Sequence, residues 1–179
     1  MIIRETPIPG AFLVEPEPVA DVRGHFARTW SRREFSERGL DVDLDHCGAS
    51  FNHKKGTLRG MHFQEAPHEE VKLVRCTRGS VYDVVLDLRP HSPTRHRWFA
   101  AELSADNGKA LYIPKGCAHG FQTLEDGTEI FYMISVSYHP EAARGVRWDD
   151  PAFAIDWPLV VTAISPKDRA LAPLASPDS

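Results

Sequence analysis

Hydrophobic and polar positions alternate most regularly over residues 81–88. Tyr82, Val84, Leu86 and Leu88 fall on one face of an extended chain, with Asp83 and Asp87 on the other beside Val81 and Val85. That period of two predicts a strand. Similar signals predict strands over Lys72–Thr77, Arg97–Leu103, Ala110–Ile113 and Thr128–Val136, the last dense in β-branched and aromatic residues. Gly79-Ser80, Asp106-Asn107-Gly108 and Pro114-Lys115-Gly116 read as the turns between them. Helical spacing is best over Ser31–Arg38, where Ser31 caps, Glu34 follows three residues later and Gly39 terminates. Met1–Val19 reads as two short extended pieces interrupted by Pro7, Pro9, Pro16 and Pro18, a spacing that edge or inter-subunit strands tolerate. Asp21–Phe26 reads as a turn carrying Arg23. Many short strands with turn residues between them predict an all-β sandwich or jelly roll with a few short peripheral helices. A small barrel of that kind encloses a pocket lined by inward-facing side chains.

The length of 179 residues suits one domain over 1–179, with about 172–179 frayed because Ser176-Pro177-Asp178-Ser179 offers nothing apolar to anchor it. A net charge of −4 without a long basic run argues against nucleic acid as a partner but leaves room for a local cationic pocket. The start lacks a signal peptide's apolar segment and no apolar run approaches membrane-spanning length, so no membrane partner is expected. Cys47, Cys76 and Cys117 are far apart, without CxxC spacing, and read as reduced thiols of a cytoplasmic protein.

The densest chemistry lies in Gly56-Thr57-Leu58-Arg59-Gly60-Met61-His62-Phe63-Gln64. Arg59 offers a planar fork of donors for phosphate oxygens, and His62 is the side-chain type whose unperturbed pKa falls near neutrality, suited to taking and returning a proton. The apolar Leu58, Met61 and Phe63 make a broken alternation, as a short strand would. An anion clamp three residues from a candidate base suggests an enzyme acting on a phosphorylated substrate. Lys72 is by default a solvated lysine. If Val71 and Leu73 pack outside, it points into the barrel, where a cation would steady an oxyanion. Tyr132 reads either as a core aromatic or as a phenol delivering a proton inside a pocket, with Tyr138 a second candidate. Asp168 is by default a solvated loop carboxylate, and gains a role only if the fold brings it to His62.

Pro114-Lys115-Gly116-Cys117-Ala118-His119 matches the second cupin segment, PxGxxH. Gly56 and His62 fit the first, but Gln64 replaces its second histidine, and Glu69 sits near the spacing of the acid. A neutral amide there weakens a two-histidine, one-carboxylate metal site. The sequence thus looks like a cupin barrel whose metal site is lost or repurposed, so neither metal nor cofactor is expected.

Together with Lys72-Leu73-Val74-Arg75, Arg147-Trp148-Asp149-Asp150-Pro151 and Ser165-Pro166-Lys167-Asp168, these stretches resemble the dTDP-4-dehydrorhamnose 3,5-epimerase family, in order and spacing over roughly 3–168. The resemblance implies a cupin-type jelly roll, a homodimer, no metal and a nucleotide-linked 4-keto-6-deoxy sugar as substrate. By position, His62 matches the base, Asp168 its orienting partner, Lys72 the enolate stabiliser and Tyr132 the acid on the opposite face. Arg59 and His119 match pyrophosphate-binding residues, Arg23 and Phe26 the nucleotide-binding D-x-R-G-x-F motif, and Tyr138 a pocket tyrosine. Arg28, His46 and Gly48 stand where relatives often carry Glu, Gln and Asn. Alternatives on the same scaffold are a C3-only epimerase, a 3,4-ketoisomerase, an inactive sugar-nucleotide binding protein and a metal-dependent oxygenase.

Overall fold

The computed structural model describes residues 1–41 and 43–174. In chain order the elements are β1 (Ile2–Glu5), β2 (Phe12–Glu15), β3 (Val19–Asp21), β4 (Gly24–Phe26), α1 (Arg32–Ser36), β5 (His46–Asn52), β6 (Thr57–Gln64), β7 (Lys72–Arg78) and β8 (Ser80–Asp87). There follow β9 (Trp98–Ser104), β10 (Ala110–Ile113), β11 (Cys117–Thr123), β12 (Thr128–Ile134), β13 (Ala143–Gly145), β14 (Ala163–Ile164) and α2 (Pro166–Arg169). One sheet has the order β1-β2-β10-β7-β12-β5, and the other β13-β6-β11-β8-β9 with β14 added to β6. β3 and β4 form a separate hairpin. This is a cupin-type jelly roll.

The inner faces of both sheets supply the main core. β7, β10 and β12 contribute Val74, Cys76, Leu111, Ile113 and Ile130, and β8, β9 and β11 contribute Val81, Val85, Leu103, Cys117 and Phe121. A second cluster covers the outside of the first sheet, where Phe35 of α1 packs with Val71, Leu73 and Tyr112. A third covers the outside of the second sheet, where Phe153, Ile155 and Trp157 lie over Met61, Val84 and Leu86. β8 is therefore enclosed on both faces, not half-solvated as its alternation suggests. Its two aspartates are fully buried. Asp83 meets His119, and Asp87 accepts from Arg89, Ser92 and Thr94. Burial pushes the Asp87 carboxyl up, but those hydrogen bonds outweigh it and hold it well below the ordinary range.

Three expectations need correction, and one strand went unmarked. β2 lies between β1 and β10, not at an edge, and tolerates its neighbouring prolines because they flank the strand. The helix is shorter than Ser31–Arg38. Ser31 caps it as expected, but Glu37 already closes it, and Glu34 turns to the N-terminal amine and Arg28. All seven positions of β11 are buried, so no alternation marks it. The expected fraying falls mainly on 175–179, outside the described residues. Leu174 is anchored, its N–H donating to the buried Asp150.

The strand that carries the site is irregular. Along β6 and β11, His62 faces His119 and Arg59 faces Phe121, so three steps on one strand match two on the other. A bulge of this kind interrupts the alternation of side chains. Arg59 and His62, which a regular strand would turn to opposite faces, both line one cavity, while Met61 packs outward. The bulge depends on Gly60. Its φ is +141, and a Cβ there would lie 2.6 Å from the Gly120 Cα. Gly60→Ala is accordingly expected to lower stability by about 3 kcal/mol or more, read from the denaturant midpoint. An unchanged midpoint would refute this account of the bulge.

Candidate active site

The strand registers place the site at one end of the barrel. β7 and β12 pair Cys76 with Ile130, Val74 with Tyr132 and Lys72 with Ile134. The first pair lies in the core and the last lines a cavity of about 790 Å³. That volume suits a ligand larger than a bare monosaccharide. Tyr132 sits at the boundary between core and cavity. Val71 and Leu73 pack outward, as required for Lys72 to point in.

His62 comes from the facing sheet. Its Nε2 lies 2.7 Å from Asp168 Oδ1, although the two are 106 residues apart in the chain. The parallel pairing of β14 with Thr57 and Leu58 brings the C-terminal segment to β6. Ser165 then caps α2, and Pro166 fits its first turn, where no N–H is needed. Asp168 is 4% exposed, and its second oxygen faces the Gly60 N–H at 3.4 Å. Burial pushes its carboxyl up, but the bond and charge of His62, the Gly60 N–H and Ser165 together hold it below the ordinary value.

A second histidine–aspartate pair lies deeper. His119 Nε2 is 2.8 Å from Asp83 Oδ1, and both side chains are buried. The other Asp83 oxygen is buried without a hydrogen-bond partner among the described residues. The Tyr132 ring stands edge-on to His119 at 6.1 Å, and its hydroxyl lies 3.2 Å from Ser50 Oγ. Burial, reinforced by Asp83, pushes the Tyr132 phenol far up, so it keeps its proton at neutral pH. Lys72 Nζ lies 2.7 Å from Glu70 Oε1 and 3.5 Å from the His62 carbonyl. Arg59 Nε donates to Asn52 Oδ1 at 2.8 Å and Nη2 to the Phe51 carbonyl at 3.4 Å, and the side chain lines the cavity.

The model of the dTDP-4-dehydrorhamnose 3,5-epimerase family matches residues 5–176. The chain belongs to that family. It is 43% identical over 159 residues to the dTDP-4-dehydrorhamnose 3,5-epimerase of Sinorhizobium fredii, covering 88% of this chain and 82% of the relative. The crystal structure of the Elizabethkingia anophelis dTDP-4-dehydrorhamnose 3,5-epimerase superposes with a TM-score of 0.94 at 33% identity, covering 97% of this chain and 96% of the other. The Bacillus anthracis dTDP-4-dehydrorhamnose 3,5-epimerase, solved with TDP and PPi bound, gives 0.93 at 38% identity over 97% and 99%.

The epimerase-family positions do not all meet in one place. His62, Asp168, Lys72, Arg59 and Tyr138 line the cavity, Tyr138 at its rim with 62% exposure. His119 is buried next to it and touches the half-buried Tyr132 at its boundary. Arg23 and Phe26 do not line it. They sit on the exposed β3–β4 hairpin, where Arg23 pairs with Asp21. His46 lines the cavity beside Asp45, whereas Arg28 is held by Glu34. The acid near the cavity is Glu70 rather than Glu69. Neither Glu70 nor Asp83 was singled out by sequence. Spacing two residues from Lys72 could have marked Glu70, and an aspartate among valines in a strand could have marked Asp83.

The cupin metal positions are engaged otherwise. His62 and His119 each face an aspartate, and the Gln64 amide turns to His139 and Glu70. Among the described residues, the cluster whose ligand atoms approach within 4.8 Å is His68, His139 and Glu141, outside this pairing.

The lowered Asp168 value carries a pH consequence. Such a group stabilises the fold above the ordinary carboxylate range, near pH 4, and that contribution disappears as pH falls through its lower folded-state value. Asp168→Asn should therefore melt below the wild type at neutral pH. The gap should close on acidification to about pH 3 or lower, followed by thermal melts across pH. A gap that widens in acid would contradict the assignment.

Proposed function

We propose that this epimerase inverts C3 and C5 of a dTDP-linked 4-keto-6-deoxyhexose through an enolate, with His62 as base and Tyr132 as acid. The observation that carries the reading is the arrangement of His62, held by Asp168 on one sheet, across from the half-buried, protonated Tyr132 on the other. The C4 ketone acidifies the C–H bonds at C3 and C5. With Nε2 donating to Asp168, His62 presents the Nδ1 lone pair and removes one of these protons. The electron pair of the broken C–H bond moves through the carbon–carbon bond to the C4 oxygen. Lys72 stabilises that charge where it develops. Tyr132 returns a proton to the opposite face, inverting the carbon, and its phenolate is reprotonated before the next cycle. Only protons move, so the steps call for no redox partner.

The cavity's Arg59, Lys72, Arg144 and Lys167 supply cationic charge for a diphosphate. The TDP and PPi bound to the Bacillus anthracis relative support the same substrate class. Exchange in D₂O tests the reading. With dTDP-4-keto-6-deoxyglucose, deuterium is expected at C3 and C5 by NMR and mass spectrometry. His62→Ala and Tyr132→Phe should each lower turnover by about 10²–10⁴-fold, and Lys72→Ala by about 10²–10³-fold. Folded protein that exchanges neither position would overturn the reading. Exchange at C3 alone would reduce it to a 3-epimerase.

In this reading the enzyme is a cytoplasmic homodimer. Val19, Val22 and Phe26 are 74%, 105% and 72% exposed on the hairpin that also carries Arg23. Such apolar exposure suits contact with a second copy, whose cavity Arg23 and Phe26 would then serve. Light scattering should give twice the chain mass of 20.1 kDa. Arg23→Ala should weaken TDP binding at least about tenfold, measured by calorimetry. A monomer, or undiminished binding, would refute this part.

A further inference from the structure

We infer that Glu70 is a positioning residue for Lys72, aiming the ammonium at the enolate oxygen of the substrate. The inference rests on the role proposed above for Lys72. An ammonium has three N–H donors. Two acceptors stand beside Lys72 Nζ, namely Glu70 Oε1 at 2.7 Å and, more loosely, the His62 carbonyl at 3.5 Å. Directed at these, the ammonium keeps its third N–H for the cavity that Lys72 lines. Both side chains of the pair are only 11% exposed. Solvent therefore screens the pair weakly, and an unpaired Lys72 would lack a strong partner on the wall side.

Glu70 is itself held by a fixed amide. Gln64 is 3% exposed, and its Oε1 accepts the His139 backbone N–H at 2.6 Å. Its Nε2 faces the carbonyls of His68 and Ser137 at 3.2 and 3.3 Å and Glu70 Oε2 at 2.8 Å. Turning the amide over would set its oxygen against three acceptors and its NH₂ against a donor. Gln64 thus presents an N–H to residue 70, while Lys72 presents another from the opposite side. A carboxylate answers both because each of its oxygens accepts. Gln64 also stands where the cupin pattern has its second histidine. In this chain that position holds the carboxylate that holds the lysine.

The test uses the full-length enzyme with Glu70→Met, which fills similar space without an acceptor, Glu70→Gln, which keeps one oxygen for Lys72, and Lys72→Ala. Circular dichroism and TDP affinity serve as the folding check, with Glu70→Ala as a second non-acceptor if Glu70→Met fails it. Glu70→Met should lower kcat about 10–100-fold while KM stays within about threefold. Glu70→Gln should recover kcat in part, to between Glu70→Met and wild type, because its amide oxygen still accepts from the ammonium while its NH₂ is set against the Gln64 NH₂. Combined with Lys72→Ala, Glu70→Met should cost no more than about a further twofold, since its effect runs through Lys72. A wild-type kcat in both non-acceptor variants, a loss confined to KM, or an equal loss with and without Lys72 would overturn the inference. If Lys72→Ala retains full kcat, the reading of Lys72 itself fails. A damaged Lys72→Ala beside an intact Glu70→Met would sink the Glu70 inference alone.

Discussion

β6 and β11 approach each other so closely at Gly60 and Gly120 that neither position has room for a side chain. The rest of the site depends on that contact. It permits the bulge that turns Arg59 and His62 to the same wall and sends Met61 outward to the layer beneath Phe153. It also leaves the Gly60 N–H facing Asp168. One backbone irregularity thereby sets the spacing between a cation suited to phosphate and a histidine suited to proton transfer, and helps to seat the carboxylate that orients the histidine.

Two histidine–aspartate pairs, on neighbouring strands in register, show how environment separates similar chemistry. His62 is open to the cavity, whereas His119 is enclosed with Asp83 behind it. The open pair is placed to exchange a proton with a ligand. The enclosed pair lies against the Tyr132 ring, where Asp83 helps to hold the phenol protonated. Lys72 and Glu70 add a third ionic pair at the wall, so the cavity is charged yet locally neutralised at several points.

Much of this was legible in the sequence, for physical reasons that differ by element. The short strands announced themselves through period two, and Ser31 announced α1 through its cap. Alternation allowed Lys72 to point inward but did not decide it; the packing of Val71 and Leu73 on the outer cluster does. β11 stayed hidden because complete burial removes alternation. The burial of both faces of β8 was not readable from its alternation, because a distant segment with Phe153 and Trp157 covers one of them. The pairing of Asp168 with His62 could be named only through the family resemblance. No local pattern tells that β14 will run parallel to β6. The positions of Arg23 and Phe26 away from the cavity also escaped the sequence, since nothing in a hairpin's own residues says where it will sit relative to a pocket.

The parallel pairing of β14 has a consequence in time as well as in space. A chain made from its N-terminus produces His62 106 residues before Asp168. Most strands of both sheets can exist before the carboxylate that orients the histidine has been synthesised. The growing barrel is thus complete in outline while its proton-transfer pair is still half made. The pair itself forms only once the last strand has joined β6.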